Sequence, residues 1–128
     1  MKLNQECVRK LFIYLEDNLE YNGKIVLNSI TDLNYSQSEL IYSAEKLQEA
    51  GYIDLIETDP CGEELPLALV TNVTYSGHCF LDTIRDNTVW QKTKSITSKF
   101  ASVSLNLLSD IASKVILQMI TFPTYPTS

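Results

Sequence analysis

The side chains of this 128-residue chain that could do chemistry gather once, in the run Thr74 to Asp86, TYSGHCFLDTIRD. It holds the only histidine, His78, with Ser76, Cys79 and Asp82 close by. His78 and Asp82 are four apart, so on a helix they share a face and can hydrogen-bond. A hydrolytic triad needs the imidazole to bridge a nucleophile and an acid, and Ser76, His78 and Asp82 on one short helix cannot be arranged that way. No G-x-S-x-G elbow accompanies them. Metal binding fares no better: His78 and Cys79 are adjacent, so their side chains diverge on a helix, and no H-x-x-x-H or C-x-x-C adds ligands. The glycines, Gly23, Gly51, Gly62 and Gly77, are too scattered to cradle a phosphate. No enzyme activity, metal or cofactor is expected. The structural reading is that Gly77 lets a helix approach its neighbour closely, while His78 donates to a backbone carbonyl or to Asp82.

The three cysteines, Cys7, Cys61 and Cys79, are odd in number and unpaired in spacing, which excludes a disulfide framework or a four-thiolate zinc site within one chain. Reduced cysteines and the lack of an apolar run behind Lys2 point to a cytoplasmic location. The most apolar window, Ala101 to Phe122, carries Asp110 and Lys114, which argues against a membrane span.

The elements that must position these residues are legible from periodicity. Asn4 caps a first helix whose stripe is Val8, Leu11, Phe12, Leu15 and Leu19, ending before the turn signal Tyr21-Asn22-Gly23. Lys24 to Leu27 reads as a short strand, and Asn28 to Asn34 has room for one helical turn at most. Ser36 with Glu39 forms a capping box for a second helix facing inward through Leu40, Ile41, Ala44 and Leu47. Gly51 stands at its left-handed stop. Two strands follow, Tyr52 to Glu57 and Leu67 to Val73, around the turn Asp59-Pro60-Cys61-Gly62. In the second strand Leu67, Leu69 and Val73 alternate with Ala68, Val70 and Asn72. Thr74 caps a third helix with Phe80, Leu81 and Ile84 inside. Asp86 or Asn87 starts a fourth, holding Val89, Trp90, Ile96 and Phe100, and Ser102 or Ser104 a fifth that runs to about Ile120. Phe122 to Ser128, with Pro123 and Pro126, is a loose end.

This order predicts a mainly helical α+β protein: a winged-helix-like domain over residues 1–86 with a two-stranded wing, and a helical extension over 87–128. The extension either packs on that domain or mediates dimerisation, with Leu105, Leu108, Ile111, Val115 and Met119 as the candidate oligomer stripe.

Two strings resemble a known family. They are Tyr35-Ser36…Glu39…Glu49-Ala50-Gly51-Tyr52-Ile53 and Thr74-Tyr75-Ser76-Gly77-His78-Cys79-Phe80-Leu81-Asp82…Arg85-Asp86…Trp90. They are similar to the signatures of a small bacterial and phage family, domain of unknown function 2513, whose second signature runs T-W-x-G-H-x-F-L-D-x-x-R-D-x-x-x-W. The likeness covers about residues 1–120. It departs at Tyr75, where a Trp is usual, and in a last helix that is more apolar and less lysine-rich. The resemblance implies a winged-helix-like fold and a phage or prophage setting, hence a host-cell cytoplasm, and no activity.

Shape and charge disagree about the partner. A winged helix would present Gln37, Ser38, Tyr42, Glu45, Lys46 and Glu49 on its second helix, and Asp59, Glu63 and Glu64 at the wing tip. Residues 1–86 carry 6 basic and 15 acidic side chains, and residues 87–128 carry 4 and 1. An acidic body repels phosphate. Lys92, Lys94 and Lys99 beside Trp90 make a basic edge or, more plainly, a solvated face with Trp90 in the core. A non-enzymatic protein-interaction or regulatory module is therefore the favoured expectation, acting through a protein partner or self-association. A weak or partner-dependent DNA-binding regulator is the alternative, and an acidic nucleic-acid mimic directed at a host protein the third reading.

Overall fold

The structure, a computed structural model, describes residues 1–58 and 65–121. The chain divides into two compact units, Met1–Leu81 and the residues from Asp82 onward. The first holds α1 (Gln5–Asn18), β1 (Ile25–Val26), a 3-10 turn (Leu27–Ser29), α2 (Gln37–Glu49), β2 (Ile53–Glu57), β3 (Ala68–Val73) and the start of α3 (Tyr75–Ile84). The second holds the end of α3, then α4 (Asn87–Thr97) and α5 (Leu105–Thr121).

Each helix begins where a side chain can satisfy an otherwise orphaned backbone N–H. Asn4 Oδ1 accepts from Cys7 N at 3.1 Å, and Ser36 Oγ from Glu39 N at 3.2 Å. The second half of the expected capping box is altered: the Ser36 hydroxyl donates to Glu39 Oε1 at 3.1 Å, joining the two side chains instead of returning to the backbone. Asp86 starts α4 by accepting from Val89 N, and Ser104 starts α5 by accepting from Leu107 N. Those two resolve the alternatives that the pattern left open.

The strands form a three-stranded antiparallel sheet in the order β1–β3–β2. Leu11, Phe12 and Leu15 of α1, Leu40 and Leu47 of α2 and Ile53 of β2 are almost fully buried. Burying one such side chain is worth about 1.5–3 kcal/mol. The expected face of β3 needs correction. Ala68 and Val70 are buried, whereas Leu67 is 45% exposed. Between Asp54 and Leu55 the register slips, so Asn72 pairs with Asp54 but Val70 with Leu55, leaving Thr71 as an extra residue. This bulge explains why Val70 and Val73, three apart, both point inward.

In the second unit α4 packs on α5. Val89, Trp90, Leu108, Ala112 and Val115 are buried. Ile96 and Phe100, both expected on this helix, are 38% and 60% exposed. The helix ends at Thr97 before reaching Phe100, and the inward positions fall to Thr93 and Thr97. Their hydroxyls donate to the carbonyls of Val89 (2.7 Å) and Lys94 (3.3 Å), which removes the penalty for burying them.

Candidate functional site

The outer face of α2 is shaped by its cap, which points Gln37 and Ser38 outward, and by the inward stripe Leu40–Ala44–Leu47. Gln37, Ser38 and Glu49 are exposed, while Tyr42, Glu45 and Lys46 are partly covered. The Tyr42 hydroxyl donates to Met1 O at 3.3 Å. Lys46 is committed already: its Nζ lies 2.7 Å from Glu49 Oε2 and 5.1 Å from the centre of the Tyr42 ring. The Glu49 hydrogen bond holds the Lys46 ammonium above its ordinary pKa. β2 then runs back past the helix and sets Glu57 beside Glu45. Partial burial first, then the hydrogen bond and charge of Glu45, push the Glu57 carboxyl above its ordinary range. The face is therefore net acidic, with its single cation neutralised. Asp59, Glu63 and Glu64 lie outside the described residues, as does Cys61.

At the other end of α2 the chain makes a clasp. Gly51 takes the left-handed φ of +82° expected of a helix stop. Tyr52 N donates to Leu47 O and Thr74 N to Tyr52 O. Thr74 joins both helices through one hydroxyl, donating to Gly51 O at 2.6 Å and accepting from Gly77 N at 3.0 Å. A Cβ on Gly77 would overlap Tyr52 O and lie 3.0 Å from Phe12 Cζ, so only glycine lets α3 come this close. The Tyr52 and Phe80 rings stack at 4.7 Å, and Phe80 and Phe12 at 6.0 Å.

His78 is turned out of this clasp. Its Nδ1 lies 3.2 Å from Glu16 Oε2 on α1, so a carboxylate 62 residues away takes the role expected of Asp82 or a carbonyl. Asp82 is paired with Arg85 at 2.6 Å. Ser76 and Cys79 are exposed, and Cys7 is buried with the Ser43 hydroxyl 3.3 Å from its sulfur. Burial pushes the Cys7 thiol up, which disfavours the reactive thiolate. Among the described residues no group of three or more His, Cys, Asp or Glu could hold a metal, and no helix is long and apolar enough to cross a membrane.

The His78–Glu16 pair borders a cleft of about 310 Å³ lined also by Leu15, Leu19, Glu20, Tyr21, Asn22, Thr71, Asn72 and Val73. The sequence placed Leu15 and Leu19 on a helix, Asn72 and Val73 on a strand and Tyr21 and Asn22 in a turn, without joining them into a cleft. The cleft exists because Asn22 is left-handed (φ 59°), β3 bulges at Thr71, and Gly77 brings His78 across to α1.

On α5, Leu105, Leu108 and Val115 are buried, Ile111 is partly covered and Met119 is 37% exposed. Most of the stripe proposed for self-association thus lies inside the chain's own packing. Leu107, Leu117 and Ile120 are the apolar side chains that α5 exposes most. Trp90 is buried, with Lys94 Nζ 5.6 Å from its ring centre, while Lys92 and Lys99 are exposed.

No solved structure matches the chain. An uncharacterized protein of Haemophilus influenzae is 31% identical over 121 residues, spanning 94% of this chain and 99% of that protein. A family model described as "Hypothetical protein (DUF2513)" matches residues 2–104, which include the clasp, the cleft and the outer face of α2. With both signature strings inside that match, the chain belongs to the DUF2513 family.

Proposed function

We propose that this protein is a non-enzymatic interaction or regulatory module, a winged-helix-like core whose α2–β2 face binds a protein partner. The core reading is supported by the order α1, β1, turn, α2, β2, β3 with β3 central in the sheet, a 3-10 turn taking the place of a middle helix. The observation that carries the choice of partner is the state of Lys46: its charge is paired with Glu49, Glu45 stands beside it, and Glu57 stands beside Glu45. Duplex binding draws on phosphate neutralisation by free Lys and Arg, and this face offers the opposite sign.

Fluorescence polarisation with labelled mixed-sequence duplex DNA at low salt is the test. No saturable binding is expected. Tight binding that weakens steeply with added salt would overturn the proposal in favour of the second reading, a DNA-binding regulator, which the element order alone favours. The charge-reversed variant Glu45→Lys, Glu49→Lys, Glu57→Lys separates shape from charge. If the shape suits a groove, that variant gains salt-sensitive DNA affinity and loses its protein partner.

A further inference from the structure

We propose that the cleft between the end of α1, the β3 bulge and the start of α3 is a receptor for an arginine side chain carried by a partner protein. The proposal concerns different residues from the α2–β2 face and does not rest on the reading given for it. Part of the floor is apolar: Leu19 is half-buried and Val73 is 8% exposed, so both offer some carbon surface to a methylene stem, with Leu15 buried beneath them. The rim is acidic. Glu16 and Glu20 both line the cleft and no Lys or Arg does, so the charge that complements it is a cation. His78, 3.2 Å from Glu16 Oε2, fixes the direction of that carboxylate. Tyr21 also lines the cleft and is 94% exposed, so its ring is open to a partner. A turn holds it in place: Gly23 N donates to Glu20 O at 2.8 Å, and Asn22 is left-handed.

A cleft with some carbon surface, two carboxylates and an exposed tyrosine matches an aliphatic stem with a planar cationic head. Guanidinium fits better than ammonium, because its fork can meet carboxylates in the plane while its face stacks on the ring. At about 310 Å³ and open on one side, the cleft is at the small end of ligand sites and holds one long side chain better than it encloses a whole small molecule.

The test is an NMR titration of the ¹⁵N-labelled full chain with the capped peptide Gly-Gly-Arg-Gly-Gly, its citrulline counterpart and free N-acetyl-arginine amide. Saturating shifts are expected at the backbone amides of Leu19 to Asn22 and Thr71 to His78. The citrulline peptide, of equal shape but uncharged, should bind about tenfold more weakly or not at all. Glu20→Gln should weaken the arginine peptide by a similar factor with an unchanged melting curve, and Glu16→Gln is the second variant should either alone perturb folding. Absent or scattered shifts, or equal binding of the citrulline peptide, would overturn the proposal. So would tighter binding of the free amide than of the peptide, which would make the cleft a small-guanidine site.

Discussion

The clasp and the outer face of α2 lie on the same helix and its sequel, yet they are built to opposite ends. In the clasp every notable residue is used inward: Gly51 and Gly77 for backbone conformation and approach, Thr74 for two hydrogen bonds, Tyr52 and Phe80 for a ring stack. On the outer face the residues point to water, and their main contacts are charge pairs with one another. The strings that carry the family likeness run through both regions, with Gly51, Tyr52, Thr74 and Gly77 in the clasp and Glu49 on the outer face. Belonging to this family therefore singles out neither region, and the partner has to be sought by testing each surface directly.

Four substitutions test that contrast, all read by urea unfolding. Phe80→Ala removes the ring between Tyr52 and Phe12 and should cost the most, about 3–5 kcal/mol. Gly77→Ala should cost about 2–3 kcal/mol, because the obstruction is the backbone oxygen of Tyr52, which cannot rotate aside. A loss under about 0.5 kcal/mol there would mean that the helices can part freely and that the clasp is no constraint. Thr74→Ala should cost about 1–2 kcal/mol, the range of a lost helix cap. Glu57→Gln is the outer-face counterpart and should act in the other direction. The folded carboxyl binds its proton more tightly than the unfolded one, whose pKa is near 4.5. Folding is thus favoured below that pH, and the advantage is lost as pH rises through the higher folded value. The variant should match the parent in acid and be slightly more stable at pH 7, by no more than a few tenths of a kcal/mol because the group is solvent-screened. Equal stability at both pH values would remove Glu45 as its repelling neighbour.

The helices and most of their caps were readable because those signals are local: Asn4, Ser36, Thr74 and Asp86 act within three residues of themselves. The close approach at Gly77 was readable for a related reason, since a lone glycine early in an apolar helix has few other uses. What escaped is non-local or hidden by chemistry. Glu16 and His78 are 62 residues apart, so no spacing rule joins them. Glu45 and Glu57 meet only because the chain reverses at Gly51. Thr93 and Thr97 look polar, but each folds its hydroxyl onto its own helix and packs as an apolar residue, whereas Ile96 and Phe100 look apolar and are exposed. The cleft combines three separate irregularities, and of these the Thr71 bulge had no sequence signal, while the signals at Tyr21-Asn22-Gly23 and Gly77 did not show that the two would meet.

The Thr71 bulge has a consequence for how β3 tolerates change. A strand is a two-beat rhythm, and the extra residue shifts it by half a period partway along. Ala68 and Val70 keep one beat while Val73 keeps the other. Deleting Thr71 would restore an even rhythm and be the more regular sequence on paper. In the folded chain it would leave Val70 and Val73 two apart and still on one inward face, opposite Leu55 and Ile53, so the strand would keep its packing and lose only its local bend. The extra residue is thus dispensable to the core and matters to the cleft it lines, so deleting Thr71 should spare stability and reshape the cleft, whereas deleting a paired residue such as Val70 would disturb the register.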